Sequence, residues 1–239
     1  MTGSDVAGVG VALALAASAP LGRALCHWSH GRLRVAESFA AGASLAYVIV
    51  DLLVELTGVG AAHVHSALPL GPSYEKSLFA VVLAGAAGWY IVAAVAAKMG
   101  GRRSRYRAYL VPQVVYSVFV GGAVALEAEH GVVPLALFAL QMLLHLMVVE
   151  GHIHKMFEHQ HAGLPYAVLA WAPGAGAIAW VLLGLPEAPL YLTLALVAGS
   201  TAVQVIQTEL PSPIAVRIVP FFLGVCLYSA LVAARWAGG

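Results

Sequence analysis

Eight apolar runs, each about as long as a bilayer's hydrocarbon core is thick, constrain this chain more than any motif does. A helix needs about 20 apolar residues to cross that core. Runs of this kind occupy roughly residues 5–26, 36–57, 77–98, 109–128, 132–157, 165–185, 188–209 and 213–236. They are continuously apolar, unlike the roughly ten-residue alternating strands of an outer-membrane barrel. Composition agrees: 61% of the 239 residues are hydrophobic and only 10% are charged, against about 25% charged in soluble domains. A soluble enzyme, a disordered chain and a basic nucleic-acid binder are excluded on these grounds. Cys26 and Cys226 are too few for a disulfide framework or a CxxC zinc site. The expected fold is all-α integral membrane, one polytopic domain over residues 1–239, with the lipid bilayer as its partner and no nucleic acid.

The first run has no Lys or Arg before it, and Asp5 stands there instead. It therefore reads as a retained helix and not as a signal peptide. Charge then orients the chain. Arg23, Arg32, Arg34, Lys98, Arg102, Arg103, Arg105, Arg107, Lys155 and Arg217 fall on one face, and only Lys76 and Arg235 on the other. The positive-inside rule puts the first face in the cytoplasm and both termini outside it. The connections after helices 4, 6 and 7 are a few residues long, so those helices must pack as antiparallel neighbours.

An internal echo follows. Ala41-Gly42 precedes Asp51 and Glu55 in helix 2, and Ala198-Gly199 precedes Gln204, Gln207 and Glu209 in helix 7. The two helices run in opposite directions across the bilayer, as an inverted repeat requires. Chance is the competing reading, because Ala-Gly pairs are common in this chain.

Ionisable residues inside a membrane are costly and usually face the protein interior or a wet path. Asp51 and Glu55 lie one helical turn apart in the outer part of helix 2. Asp51 needs a partner or a function there, whereas Glu55 can reach the interface. His145 lies near the middle of helix 5, with Glu150 deeper toward the cytoplasm. At 100° per residue, Glu150, His154, Glu158 and His161 share one face, and His145, His152 and His159 another. Imidazole and carboxylate are ordinary ligands for Zn²⁺ and similar divalent ions. The alternatives are a solvated helix end for 152–161 and a core hydrogen bond for His145.

Other polar groups read as solvated: His63 and His65 in the loop after helix 2, His27 and His30 in the first cytoplasmic loop, and Glu127, Glu129 and His130 at the outer end of helix 4. The first and last of these sets could also collect metal at an entrance. Pro112, Pro134 and Pro173 kink or begin helices. Trp28, Trp89, Tyr90, Tyr191 and Trp236 read as span-end or lipid-facing aromatics. No Walker loop, Rossmann glycine pattern or GxSxG elbow is visible.

The residues also carry a family resemblance. Phe39-Ala40-Ala41-Gly42-Ala43-Ser44-Leu45-Ala46, followed by Asp51-Leu52-Leu53-Val54-Glu55, resembles the second helix of the ZIP divalent-metal transporters. That helix reads F-x-A-G-x-x-L-A-x-x-F-L-H-L-L-P-E in the family. Asp51 stands at the His position, Glu55 at the Glu position, and Val54 replaces the proline. Ala198-Gly199 through Glu209-Leu210-Pro211 is similar to the family's seventh helix, and Phe221-Phe222-Leu223-Gly224 is similar in style to its eighth. The resemblance implies eight helices in an inverted 3+2+3 repeat with both termini outside. It also implies a metal site built from helices 4 and 5. Helix 4 keeps only the glycine of the family motif, in Tyr116-Ser117-Val118-Phe119-Val120-Gly121. Helix 5 keeps His145 at the first position and Glu150 at the last.

The leading expectation is a ZIP-like transporter of divalent metal, zinc first, in a bacterial inner membrane, with a homodimer as an open possibility. Asp51 would serve as an outer-half ligand or gate, and His145 and Glu150 as core ligands. His154, Glu158 and His161 would receive the ion on the cytoplasmic side. Two rivals stand beside it. One is a non-transporting relative that senses metal or binds a partner. The other is a membrane enzyme holding iron or haem through histidines.

Overall fold

The computed structural model describes residues 2–28, 30–62, 64, 74–158, 160–184, 186–209 and 216–238. His63, His65, His159, Leu210 and Pro211, named above, lie outside the described residues. Every regular element among those described is helical. Eight helices are long and apolar enough to cross a membrane: α1 (Gly3–Cys26), α2 (Gly31–Gly58), α3 (Ser77–Lys98), α4 (Arg102–His130), α5 (Val132–Phe157), α6 (Leu164–Leu183), α7 (Ala188–Thr208) and α8 (Ile218–Ala237). The chain is thus built as an all-α integral membrane protein.

These bounds follow the apolar runs, except that α2 starts earlier, at Gly31, α8 later, at Ile218, and α4 earlier still. Helix α4 begins at Arg102, so Arg102, Arg103, Arg105 and Arg107 form its first turns and not a loop. Arginine is a good helix former, and its long stem carries the charge outward. Gly101, at φ +85°, makes the preceding turn. Local irregularities also have causes. Pro20 has no N–H to give the carbonyl of Ala16, and α1 tightens to a 3₁₀ turn over Leu15–Ala17 just before it. Pro134 sits in the first turn of α5, where no intrahelical N–H is needed. Pro112 and Pro173 lie inside α4 and α6. Helix α2 widens to π geometry over Tyr47–Leu52 and Leu56–Gly60, and α7 does so over Val205–Glu209. Such widened turns concentrate at functional sites. Here they contain Asp51 and adjoin Glu55 and Gln204.

Four helices form an inner bundle and four surround it. In the apolar window of each helix, 61% of residues are buried in α2 and α7, 56% in α4 and 44% in α5. The share is 33% in α1 and α6 and 17% in α3 and α8. The bundle closes where glycines let backbones touch. A Cβ on Gly42 would strike the carbonyl oxygen of Phe221 in α8, and one on Gly224 would strike that of Phe39 in α2. The α3–α7 crossing is built the same way. A Cβ on Gly199 would collide with Val82 O, and one on Gly85 with Leu196 O. The two Ala-Gly pairs of the internal echo therefore do the same mechanical job. Gly121 with Gly176 joins α4 to α6, and Gly22 with Gly151 joins α1 to α5.

Tyr47 anchors the core, edge-on to Phe138 at 5.9 Å and to Tyr228 at 5.8 Å. Two aromatics depart from the lipid-facing expectation. Trp89 is buried against Tyr116, and Tyr191 is fully buried. Both belong to the α3–α7–α4 seam, where the glycine crossing draws α3 and α7 together. Trp28, Tyr90 and Trp236 are exposed, as expected.

Candidate functional site

The polar side chains of the inner bundle fall into three groups along its length. The first lies where α4 turns into α5. Helix α2 brings Asp51 and Glu55, α4 brings Glu127 and His130, and α8 brings Arg235. His130 Nδ1 is 3.4 Å from Glu55 Oε1 and 3.8 Å from Glu127 Oε2. Its Nε2 is 3.1 Å from the Tyr191 hydroxyl. The ring thus faces two carboxylates through Nδ1 and a phenol through Nε2. Arg235 holds the remaining acid: its guanidinium is 3.2 Å from Asp51 Oδ1 and 3.9 Å from Glu55 Oε2. The Tyr228 hydroxyl donates to Asp51 Oδ2 at 3.3 Å. Three carboxylates thus share one guanidinium and one imidazole. One ligand atom from each of Glu55, Glu127 and His130 lies within 4.8 Å of the others. One imidazole nitrogen and two carboxylate oxygens, with positions left open, make a zinc-type donor set.

The second group occupies the middle. His145 is fully buried, its ring edge-on to Tyr116 at 5.8 Å. Tyr116 is 2.7 Å from Thr201 Oγ1 on α7, which itself donates to Val197 O. Gln141 Nε2 donates to Ser44 Oγ on α2 at 2.6 Å. Several deeply buried atoms make no hydrogen bond to the described residues: both amide atoms of Gln204, Gln113 Oε1, Ser117 Oγ, Gln141 Oε1 and Tyr47 Oη. They come from all four inner helices. A buried polar atom costs about 1–3 kcal/mol unless a polar partner meets it.

The third group lies toward the other end. Glu150 and His161 are both buried, with His161 Nε2 2.5 Å from Glu150 Oε1. His161 Nδ1 is 3.0 Å from the Tyr106 hydroxyl of α4. Arg23 of α1 donates to the His161 carbonyl at 2.8 Å, and its guanidinium stacks 3.4 Å above the Tyr166 ring. Ser18, Gln113, Ser117 and Glu150 line a cavity of about 10 Å³, roughly the room one water needs.

Of the six residues expected to ligate metal, Glu150 and His161 meet directly. They do not meet as helical neighbours. Helix α5 ends at Phe157 with Glu158 as its cap, and the amides of Gln160 and His161 bond back to Phe157 O. His161 thus returns by a turn, not along a stripe. Glu158 is exposed, and His154, half-buried, lies close enough to Glu150, His161 and Glu158 to feel their charges without bonding to them. Asp51 stays with the first group, bonded to Arg235 and Tyr228, and does not reach Glu150. Glu127 and His130, which read as solvated, are instead a buried acid and its partner. Glu129 is exposed as expected. The signal for the pair is in the sequence: an acid and a histidine three residues apart, at the end of an apolar run.

No protein-family model matches the chain, and no curated protein matches it.

Proposed function

We propose that this protein is a ZIP-like transporter of divalent metal ions, zinc foremost, with Glu55, Glu127 and His130 as the site where the ion is first held. The convergence of those three donors from α2 and α4 carries the reading. Metal binding through Nδ1 of His130 would require that nitrogen free of a proton, while Arg235 keeps Asp51 neutralised nearby. The column through Gln204, Gln141, Tyr116 and His145 supplies polar groups across the middle. Glu150 and His161 stand at its far end, on the side that the basic residues assign to the cytoplasm. On this reading His145 and Glu150 act as stations along a path, and Asp51 as part of the entrance.

An inverted 3+2+3 repeat supports the same reading. Helices α2 and α7 share the highest burial, α3 and α8 the lowest, and α1 and α6 an equal intermediate value. The Gly42–Gly224 and Gly199–Gly85 crossings then correspond, with α4 and α5 between the repeats. With ten basic residues on one face, both termini lie outside the cytoplasm. A bacterial inner membrane fits this arrangement.

Purified protein in liposomes loaded with a zinc-sensitive dye tests the proposal. Zn²⁺ entry is expected, and Glu127→Gln with His130→Ala is expected to abolish it. Entry unchanged in that double variant removes the site. A second reading, a metal sensor without transport, draws on the clustering of donors at one end only. Saturable Zn²⁺ binding without any flux selects it.

A further inference from the structure

A large apolar groove opens between α2 and α8, at the end of the bundle that carries the basic residues. Its walls include Val35 and Phe39 of α2 and Pro220 and Leu223 of α8, with Trp28 and Arg32 at its mouth. Its volume is about 530 Å³, inside the roughly 300–1,000 Å³ range of small-molecule sites. The Gly42–Gly224 contact pins the two helices one turn farther along, so the groove is a fixed fork and not a passing gap. Arg217 N donates to Ser38 Oγ at 3.1 Å, which fixes the start of α8 against α2. The Arg217 side chain is exposed there, one turn before Pro220.

We propose that this groove binds an anionic phospholipid, one acyl chain lying between α2 and α8 and the phosphate held at the mouth by Arg32 and Arg217. Three features select this occupant. The walls are apolar and face the hydrocarbon, so they suit an alkyl chain. Trp28 is half exposed at the mouth, the amphipathic position favoured at headgroup level. The groove carries positive charge: exposed Arg32 is part of its lining, and exposed Arg217 opens α8 beside it, its backbone N–H on Ser38 and three residues before Pro220. Basic pockets between membrane helices on the cytoplasmic side hold anionic headgroups. A zwitterionic lipid would fill the same walls but gain less at the mouth.

Detergent-purified protein is titrated with phosphatidylglycerol or with phosphatidylcholine of the same chains, and bound lipid is counted by native mass spectrometry. Phosphatidylglycerol is expected to bind more tightly, and Arg32→Gln to weaken it about fivefold, the contribution of one basic residue near a membrane surface. The same variant should leave phosphatidylcholine unchanged. Ala36→Trp, which fills the groove, is expected to remove both lipids. Should that variant fail to fold, Arg32→Gln alone still reads the charge selectivity. Equal affinity for the two lipids, with Arg32→Gln silent, overturns the proposal. So does a dimer without bound lipid that Ala36→Trp dissociates, since the groove would then hold a second copy.

Discussion

The His161 imidazole joins α5 to α4 from a turn that belongs to neither, its Nε2 2.5 Å from Glu150 and its Nδ1 3.0 Å from Tyr106. Both ring nitrogens are engaged, and the ring is fully buried. Removing it leaves a buried carboxylate and a phenol without their partner. His161→Ala is expected to cost about 1–3 kcal/mol, the range for a buried group stripped of its bond. Replacing both Glu150 and His161 by leucine should cost less than the two single changes summed, because no charge is then left behind. Thermal unfolding in detergent for the four members of the cycle measures this.

The same pair marks how far the fold is legible in the chain. Hydrophobicity alone locates the eight helices, because a span must be long and apolar whatever it packs against. Proximity between helices is another matter. A helical face for His161 follows only if 100° per residue is carried past Phe157, where the helix stops. Glu55, Glu127 and His130 meet across some seventy residues of chain, and no local period encodes that. Trp89 lies in the middle of its span and Tyr191 near the start of its own, and which side of a helix faces lipid depends on the glycine crossings. Those crossings are legible only as a repeated Ala-Gly pair.

The crossings themselves give a sharp test. A Cβ on Gly199 would run into the Val82 carbonyl oxygen, and backbone inside a packed helix cannot yield. Gly199→Ala is expected to lower stability by roughly 1–3 kcal/mol, the cost of overpacking. Gly88, also in α3, has open space where a methyl would stand, with nothing within 4 Å. Gly88→Ala should therefore stabilise by up to about 1 kcal/mol through helix propensity. Opposite shifts in Tm for two glycine-to-alanine changes would separate close contact from conformational freedom.

Arg235 holds Asp51 at 3.2 Å and approaches Glu55 at 3.9 Å. Arg235→Ala leaves Asp51, buried in α2, with Tyr228 as its remaining donor. The expected loss is about 1.5–3 kcal/mol, the scale of a hydrogen bond to a charged group. Asp51→Asn in the same chain should recover most of it, since the uncompensated charge is gone. Denaturation midpoints of the single and double variants decide the matter; an additive double variant rejects the pairing.

Zinc affinity offers a direct reading of the first polar group. Glu127 is almost completely buried and three residues from His130. Glu127→Gln keeps the shape and removes the charge that a cation would meet. Isothermal titration with Zn²⁺ is expected to show affinity lowered by about tenfold or more, the lower end of losses seen when a metal site's supporting groups are changed. Glu158→Gln, at an exposed position on the far side of the protein, should leave that binding alone.

Gln204 sets stability against function. Its side chain is fully buried in α7, and neither amide atom is bonded to another described residue. If the amide exists only to fill space, leucine is the better residue and costs nothing in activity. If it lines an ion path, the protein retains an amide that weakens the fold for the sake of conduction. Gln204→Leu is therefore expected to raise stability by about 1–3 kcal/mol, the penalty released when an unmet polar group leaves the interior, and to suppress Zn²⁺ flux in liposomes. A gain in Tm with full flux would show that the central column does not conduct. Loss of both would mean that the amide holds the bundle together through bonds formed within the protein.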